Sequence, residues 1–292
     1  FTNNTCGGVT YGSGAIYNTG ANFKITNSNF NNNTVNASGG LSSYSGGGAI
    51  YNAGANFEVT NSNFNNNRVN VARVAYGGGA IHNAGSNATV ADCNFTNNSA
   101  TNGGAVYNTG ANATVADCNF TNNSATNGGV VYNTGDNATV ADCNFTNNSA
   151  TNGGAVYNTG ANTTVTDCNF TNNIATDDGG AIYNTRYDVI VSDSNFTVNK
   201  ATIGGAIYNY GTRMNVSDSN FINNTASAAA GGVFTNGTNS MIMDSNFTGN
   251  SHAVGLATTN FTLSGNRIVN NTVGVQFILY NLNYTIVGLN NS

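Results

Sequence analysis

Apolar and polar residues alternate in short bursts along this chain, and the bursts return at a fixed interval. Residues 87–111 read NATVADCNFTNNSATNGGAVYNTGA. Residues 112–136 differ only by Val130 for Ala105 and Asp136 for Ala111, and 137–161 repeat the first copy at every position, a period of 25. A phenylalanine marks each unit: Phe30, Phe64, Phe95, Phe120, Phe145, Phe170, Phe196, Phe221 and Phe247. Diverged units follow near Ile268 and through Leu279 and Ile286. Periods of this length belong to solenoids. Each unit holds three runs, GGAVYN, ATVADC and NFTNNSA, rich in β-branched and aromatic residues and divided by Gly, Asn and Asp. The recurring Gly-Gly pair and the scarcity of strong helix formers other than Ala exclude helix. Three strands and three turns in one period make one coil of an all-β, right-handed parallel β-helix. About ten or eleven coils, each about 4.8 Å from the next, give a rod roughly 50 Å long. The expected organisation is a single domain over 1–292: 1–86 with two insertions, 87–250 regular, and 251–292 diverged.

Period two assigns the faces. Val106 and Asn108 share one side of their strand, Ala105 and Tyr107 the other. Ile16, Ile50, Ile81, Val106, Val131, Val156, Ile182 and Ile207 form one column, always with Asn two residues later. Aliphatic plus invariant Asn points inward, with the Asn amides stacking from coil to coil at a bend. Val90 and Phe95 face inward around a bend at Asp92, and Asn98 marks the third bend. Tyr17, Tyr51, Tyr107, Tyr132, Tyr157, Tyr183 and Tyr208, with His82 between Tyr51 and Tyr107, then face outward. An exposed aromatic ladder suits carbohydrate stacking or lateral protein contact. The same spacing also lets the rings simply stack on one another.

Composition narrows the function. Charged residues make up 7%, Pro and Trp are absent, and the net charge is −5 with seven Lys+Arg. So few cations argue against a nucleic-acid partner. No run approaches the roughly 18 apolar residues of a spanning helix, so no direct membrane insertion is expected. Asp92, Asp117, Asp142, Asp167, Asp193, Asp218 and Asp244 form an acidic column with Asn27 and Asn61 as its first members. Calcium could bridge such carboxylates. The Asn members favour a turn role, so neither metal nor cofactor is expected. Cys93, Cys118, Cys143 and Cys168 stack at the period, with Ser in other coils, as a column of thiols rather than disulfides. Cys6 stands outside the repeat.

Two insertions, Thr34–Gly47 and Arg68–Gly77, break the period at one corner and carry Tyr44, Arg68, Arg73 and Tyr76 as candidate contact residues. Loops on rigid scaffolds often hold specificity. Sequons are frequent, and Asn87, Asn94, Asn112, Asn119, Asn137 and Asn144 are candidate glycosylation sites. The local concentration of charge at Asp177, Asp178, Arg186, Asp188 and Lys200 is read as a solvated turn. With two His and no clustered acid/base pair, the chain is not expected to be an enzyme. A polysaccharide lyase-like activity is the remote alternative.

GGAIYN followed by FTNN, repeated over Gly14 to about Asn250, resembles the GGA(I/L/V) and FxxN repeats of polymorphic outer-membrane proteins. It also resembles the adhesin-like surface proteins of methanogenic archaea. The resemblance implies an extracellular, surface-displayed β-helix, structural or adhesive, with no catalytic residues to carry over. The chain opens in the FTNN phase and stops near its return, so head-to-tail stacking into a filament of identical copies is one expectation. The other is a monomeric adhesin stalk that binds a glycan or a cell-surface ligand.

Overall fold

The computed structural model describes residues 1–7, 11–37, 44–71, 75–278 and 284–287. The described chain is all strand and turn. Three parallel sheets run its length. One holds 11 strands from Ile16–Asn18 to Val273–Phe277, the second 11 from Lys24–Thr26 to Tyr284–Val287, and the third 10 from Asn29–Asn31 to Arg267–Val269. Register follows the repeat: Val106 pairs with Val131, Thr114 with Thr139 and Phe120 with Phe145. The chain is therefore the parallel β-helix that the period implies.

Like stacks on like in the core. Phe30 through Phe247 form one unbroken column with ring centroids 4.6–5.0 Å apart, and each is fully buried. The Val90 and Val106 columns close the other two sides. Ala105 departs from the expected alternation. It lies in the core beside Val106, because the chain still bends at Gly104–Ala105 and period two starts only at Val106.

Corners explain the Asn and Asp columns. Asn87, Asp92 and Asn97 have φ of 56°, 53° and 56°, and their counterparts one coil on, Asn112, Asp117 and Asn122, have 57°, 52° and 57°. This left-handed region is cheap only for Gly, Asn and Asp. The acidic column is thus a column of turn residues, with Asn27 at 49° and Asn61 at 50°. Inside the corners two amide ladders run along the rod, one from Asn33 to Asn271 and one from Asn18 to Asn209. Asn98, Asn123, Asn148 and Asn173 are fully buried. Each Nδ2 donates to the next Oδ1 at 3.0–3.1 Å and to a phenylalanine carbonyl one coil back. At another corner Asn83, Asn108, Asn133 and Asn158 form the second ladder, each Nδ2 donating to the next Oδ1 at 2.8–2.9 Å and to the glycine carbonyl two residues on in its own coil.

The two insertions are not loops throughout. Thr34–Ala37 pairs with both Thr5–Gly7 and Arg68–Val71, and Tyr44–Gly47 pairs with both Tyr11–Ser13 and Ala75–Tyr76. Three successive coils therefore carry a flange of paired strands. Cys6, which the repeat leaves unplaced, sits in register with Val35 and packs against the small cluster that Val35 forms with Val69. Arg73 lies outside the described residues.

Candidate binding groove and outer columns

The flange ends after the third coil, and the step it leaves is a groove of about 400 Å³. One wall is the last flange strand, with Arg68, Val69 and Asn70. The other is the shorter corner of the next two coils, residues 99–101 and 124–126. The Val69 N–H donates to the Ser99 carbonyl at 3.0 Å, which ties the two walls together. Buried Val69 and half-buried Ala100 pack together beneath. Arg68 is exposed. Its guanidinium, and the hydroxyls of Ser99, Thr101, Ser124 and Thr126, make no hydrogen bond or ion pair with other described residues. A cation, a row of hydroxyls and an apolar floor can together accept a polar chain with C–H faces. Arg68, picked out by its place in an insertion, is at this groove. Tyr44 and Tyr76 are on flange strands one register step apart, Tyr44 paired in the backbone with Ala75 and Tyr76 with Ser45.

The tyrosine column corrects the expectation of an open ladder. Tyr51 and Tyr107 are 7% and 4% exposed and His82 is 2%, while Tyr132, Tyr157, Tyr183 and Tyr208 are half-buried. Tyr17, in the first of these coils, is 53% exposed. The rings stack at 4.7–5.2 Å, except that His82 stands edge-on between Tyr51 and Tyr107. They point away from the main core, but further segments cover them. Tyr208, for example, packs against a second apolar cluster of Ala229, Ala230, Phe234 and Ala257. Burial, followed by the neighbouring Tyr183, raises the Tyr157 phenol above the usual tyrosine range.

The sequon asparagines Asn87, Asn94, Asn112, Asn119, Asn137 and Asn144 are exposed, and each amide is tied to its neighbour in the adjacent coil. Asn119 Nδ2 donates to Asn94 Oδ1 at 3.1 Å, and Asn112 Nδ2 to Asn87 Oδ1 at 3.0 Å. The four stacked cysteines are fully buried free thiols. Sγ of Cys118 lies 2.9 Å from the Ala116 carbonyl, and contact with the Cys143 thiol, followed by burial, pushes the Cys168 thiol far up. Asp178 is half-buried, and burial followed by the neighbouring Asp177 raises its carboxyl. Among the described residues no group of three His, Cys, Asp or Glu could hold a metal, and no helix is long and apolar enough to cross a membrane.

The coil, the amide ladders and the in-register columns define a parallel β-helix repeat protein. Residues 92–109, 117–134, 142–159 and 167–185 each match the Chlamydia polymorphic membrane protein repeat, so the chain resembles the polymorphic outer-membrane proteins through the regular part of its rod. No curated protein and no solved structure matches the chain.

Proposed function

We propose that this chain is a rigid rod displayed at the cell surface and that it works as a structural and adhesive element. Its repeats support the location, since the repeat they match is that of polymorphic membrane proteins. The groove at the foot of the flange carries the adhesive part of the reading. It is a preformed concavity on a scaffold whose backbone is paired on both sides, so little ordering is needed on binding. Its hydroxyls and single guanidinium suit a glycan chain. The groove favours adhesion over end-to-end assembly as the finer role.

The test is retention of the protein on a panel of immobilised glycans, with Arg68→Ser alongside. Arg68 is exposed and makes no ion pair with the described residues, so its loss should leave thermal unfolding unchanged. Loss of one charge-assisted contact should weaken binding about tenfold or more. Absence of retention on every glycan, or equal retention of the variant, would refute the assignment.

A further inference from the structure

A second place on the rod breaks the rules of its own repeat. At the corner after the inner amide ladder, successive coils read Thr109-Gly110-Ala111-Asn112, Thr134-Gly135-Asp136-Asn137 and Thr159-Gly160-Ala161-Asn162. They then read Thr185-Arg186-Tyr187-Asp188 and Tyr210-Gly211-Thr212-Arg213. The repeat supplies an internal reference for what this corner needs. A β-carbon built on Gly110, Gly135 or Gly160 would lie 1.9–2.0 Å from the glycine carbonyl oxygen of the coil before. Yet Arg186 occupies that column. The neighbouring hydrogen bond from Asn162 N–H to the Tyr187 carbonyl is 3.3 Å, against 2.8 Å for Asn137 to Ala161 one coil earlier. Arg213 takes the asparagine place at φ 56°, a conformation that costs arginine more than asparagine. Two of the seven cations of an acidic chain thus stand one coil apart, each at a backbone cost that the small residues of neighbouring coils avoid. Natural proteins break such local rules at functional sites.

The side chains form one surface. Arg213 clamps Asp188 through Nε and Nη2 at 2.6 and 2.7 Å. Both guanidiniums lie over the Tyr187 ring, Arg186 at 5.6 Å and Arg213 at 5.3 Å from its centroid. Arg186 has no carboxylate partner among the described residues. Tyr210, in the adjacent coil, is 58% exposed, and Ile190 flanks the corner at 43%. The band they belong to is unusual as a whole. Away from the first and last coils, every exposed large apolar side chain among the described residues falls between 174 and 222.

We propose that the corner built by residues 185–188 and 210–213 is a second binding site, for a saccharide that carries a carboxylate. Arg186 pairs with the carboxylate in the planar, two-pronged geometry that guanidinium allows. Tyr210 stacks on a C–H face of the sugar. Arg213, its charge offset by Asp188, fixes the Tyr187 ring beside them and leaves Arg186 as the cation free to pair. The site is separate from the flange groove and does not depend on it.

The experiment is titration calorimetry of the whole chain with an oligogalacturonate, its methyl ester of equal length, and a poly-glutamate peptide. The expected result is binding of the free acid that weakens at least about tenfold on esterification and on Arg186→Gly, which restores the residue of neighbouring coils and should fold. Tyr210→Thr, again a residue from neighbouring coils, should weaken it too. Equal binding of the ester, undiminished binding by Arg186→Gly, or poly-glutamate binding as tight as the sugar acid would each overturn the proposal.

Discussion

Replacing Asn123 by Ala isolates the buried amide ladder. Asn123 is fully buried, and its side chain and N–H take part in five hydrogen bonds. Its Oδ1 accepts from the Asn98 N–H at 2.9 Å and Asn98 Nδ2 at 3.0 Å. Its Nδ2 donates to Asn148 Oδ1 at 3.1 Å and the Phe95 carbonyl at 3.0 Å, and its own N–H reaches Asn148 Oδ1 at 2.8 Å. Alanine keeps only the last. Two donors of Asn98 then lose their partner in a space too tight for side chains to rearrange, and each unsatisfied buried group costs about 1–3 kcal/mol. The Phe95 carbonyl loses one bond as well. A destabilisation of about 3–5 kcal/mol is expected, at the severe end for single substitutions. The matched control is Asn119→Ala. Asn119 also donates to an asparagine one coil back, at 3.1 Å, but is exposed, so water replaces the lost partner and the cost should stay within about 0.5 kcal/mol. A solenoid can open a few coils at a time, so hydrogen exchange resolved by coil is the assay to set beside denaturant unfolding. Protection should fall most in the coils of Phe95, Phe120 and Phe145. Equal costs for the two substitutions would show that burial of the amide is not what makes the ladder matter.

Two further outcomes follow from the titratable groups. Asp178 aligns with the Asn152 column of earlier coils, and its pKa is raised, so folding favours its protonated form. Its contribution opposes folding above the folded pKa and fades as pH falls below the ordinary aspartate range. Asp178→Asn should therefore raise stability at pH 7 by less than about 1 kcal/mol, with the gain vanishing in acid unfolding curves near pH 3. A gain that persists at low pH would mean that charge is not its source. The stacked thiols should be inert in the native state, since reaction needs an accessible thiolate. A bulky disulfide reagent should label Cys6 alone before unfolding and all five cysteines after it; native labelling of Cys118 or Cys143 would contradict their complete burial.

The repeat made most of the fold legible. A 25-residue period forces equivalent residues into equivalent places, so Phe120 had to meet Phe95 and Phe145, and Asn123 had to meet Asn98 and Asn148. The Asp92 column was legible for the same reason. Asn27 and Asn61 in its first two coils indicated a turn, and the left-handed backbone there is the physical cause. The outer faces were less legible. Period two tells which side of a strand a residue takes, but not what lies over that side, and so it could not foresee that Tyr51 and Tyr107 are covered. The corner at Arg186 did carry a signal, the loss of Gly and Asn from an otherwise regular TGAN turn. Its weight became visible only from the short distance that a β-carbon built on the glycines of neighbouring coils would make to the carbonyl of the coil before.

By itself, then, the sequence determined the coil, the register and the inward columns, because a near-exact repeat leaves one way to stack equal units with like on like. Tertiary structure alone decided the flange and its groove. The insertions break the period that made everything else readable, and whether Thr34–Ala37 and Arg68–Val71 hang as loops or pair as strands depends on contacts between coils more than 30 residues apart, which no local pattern records.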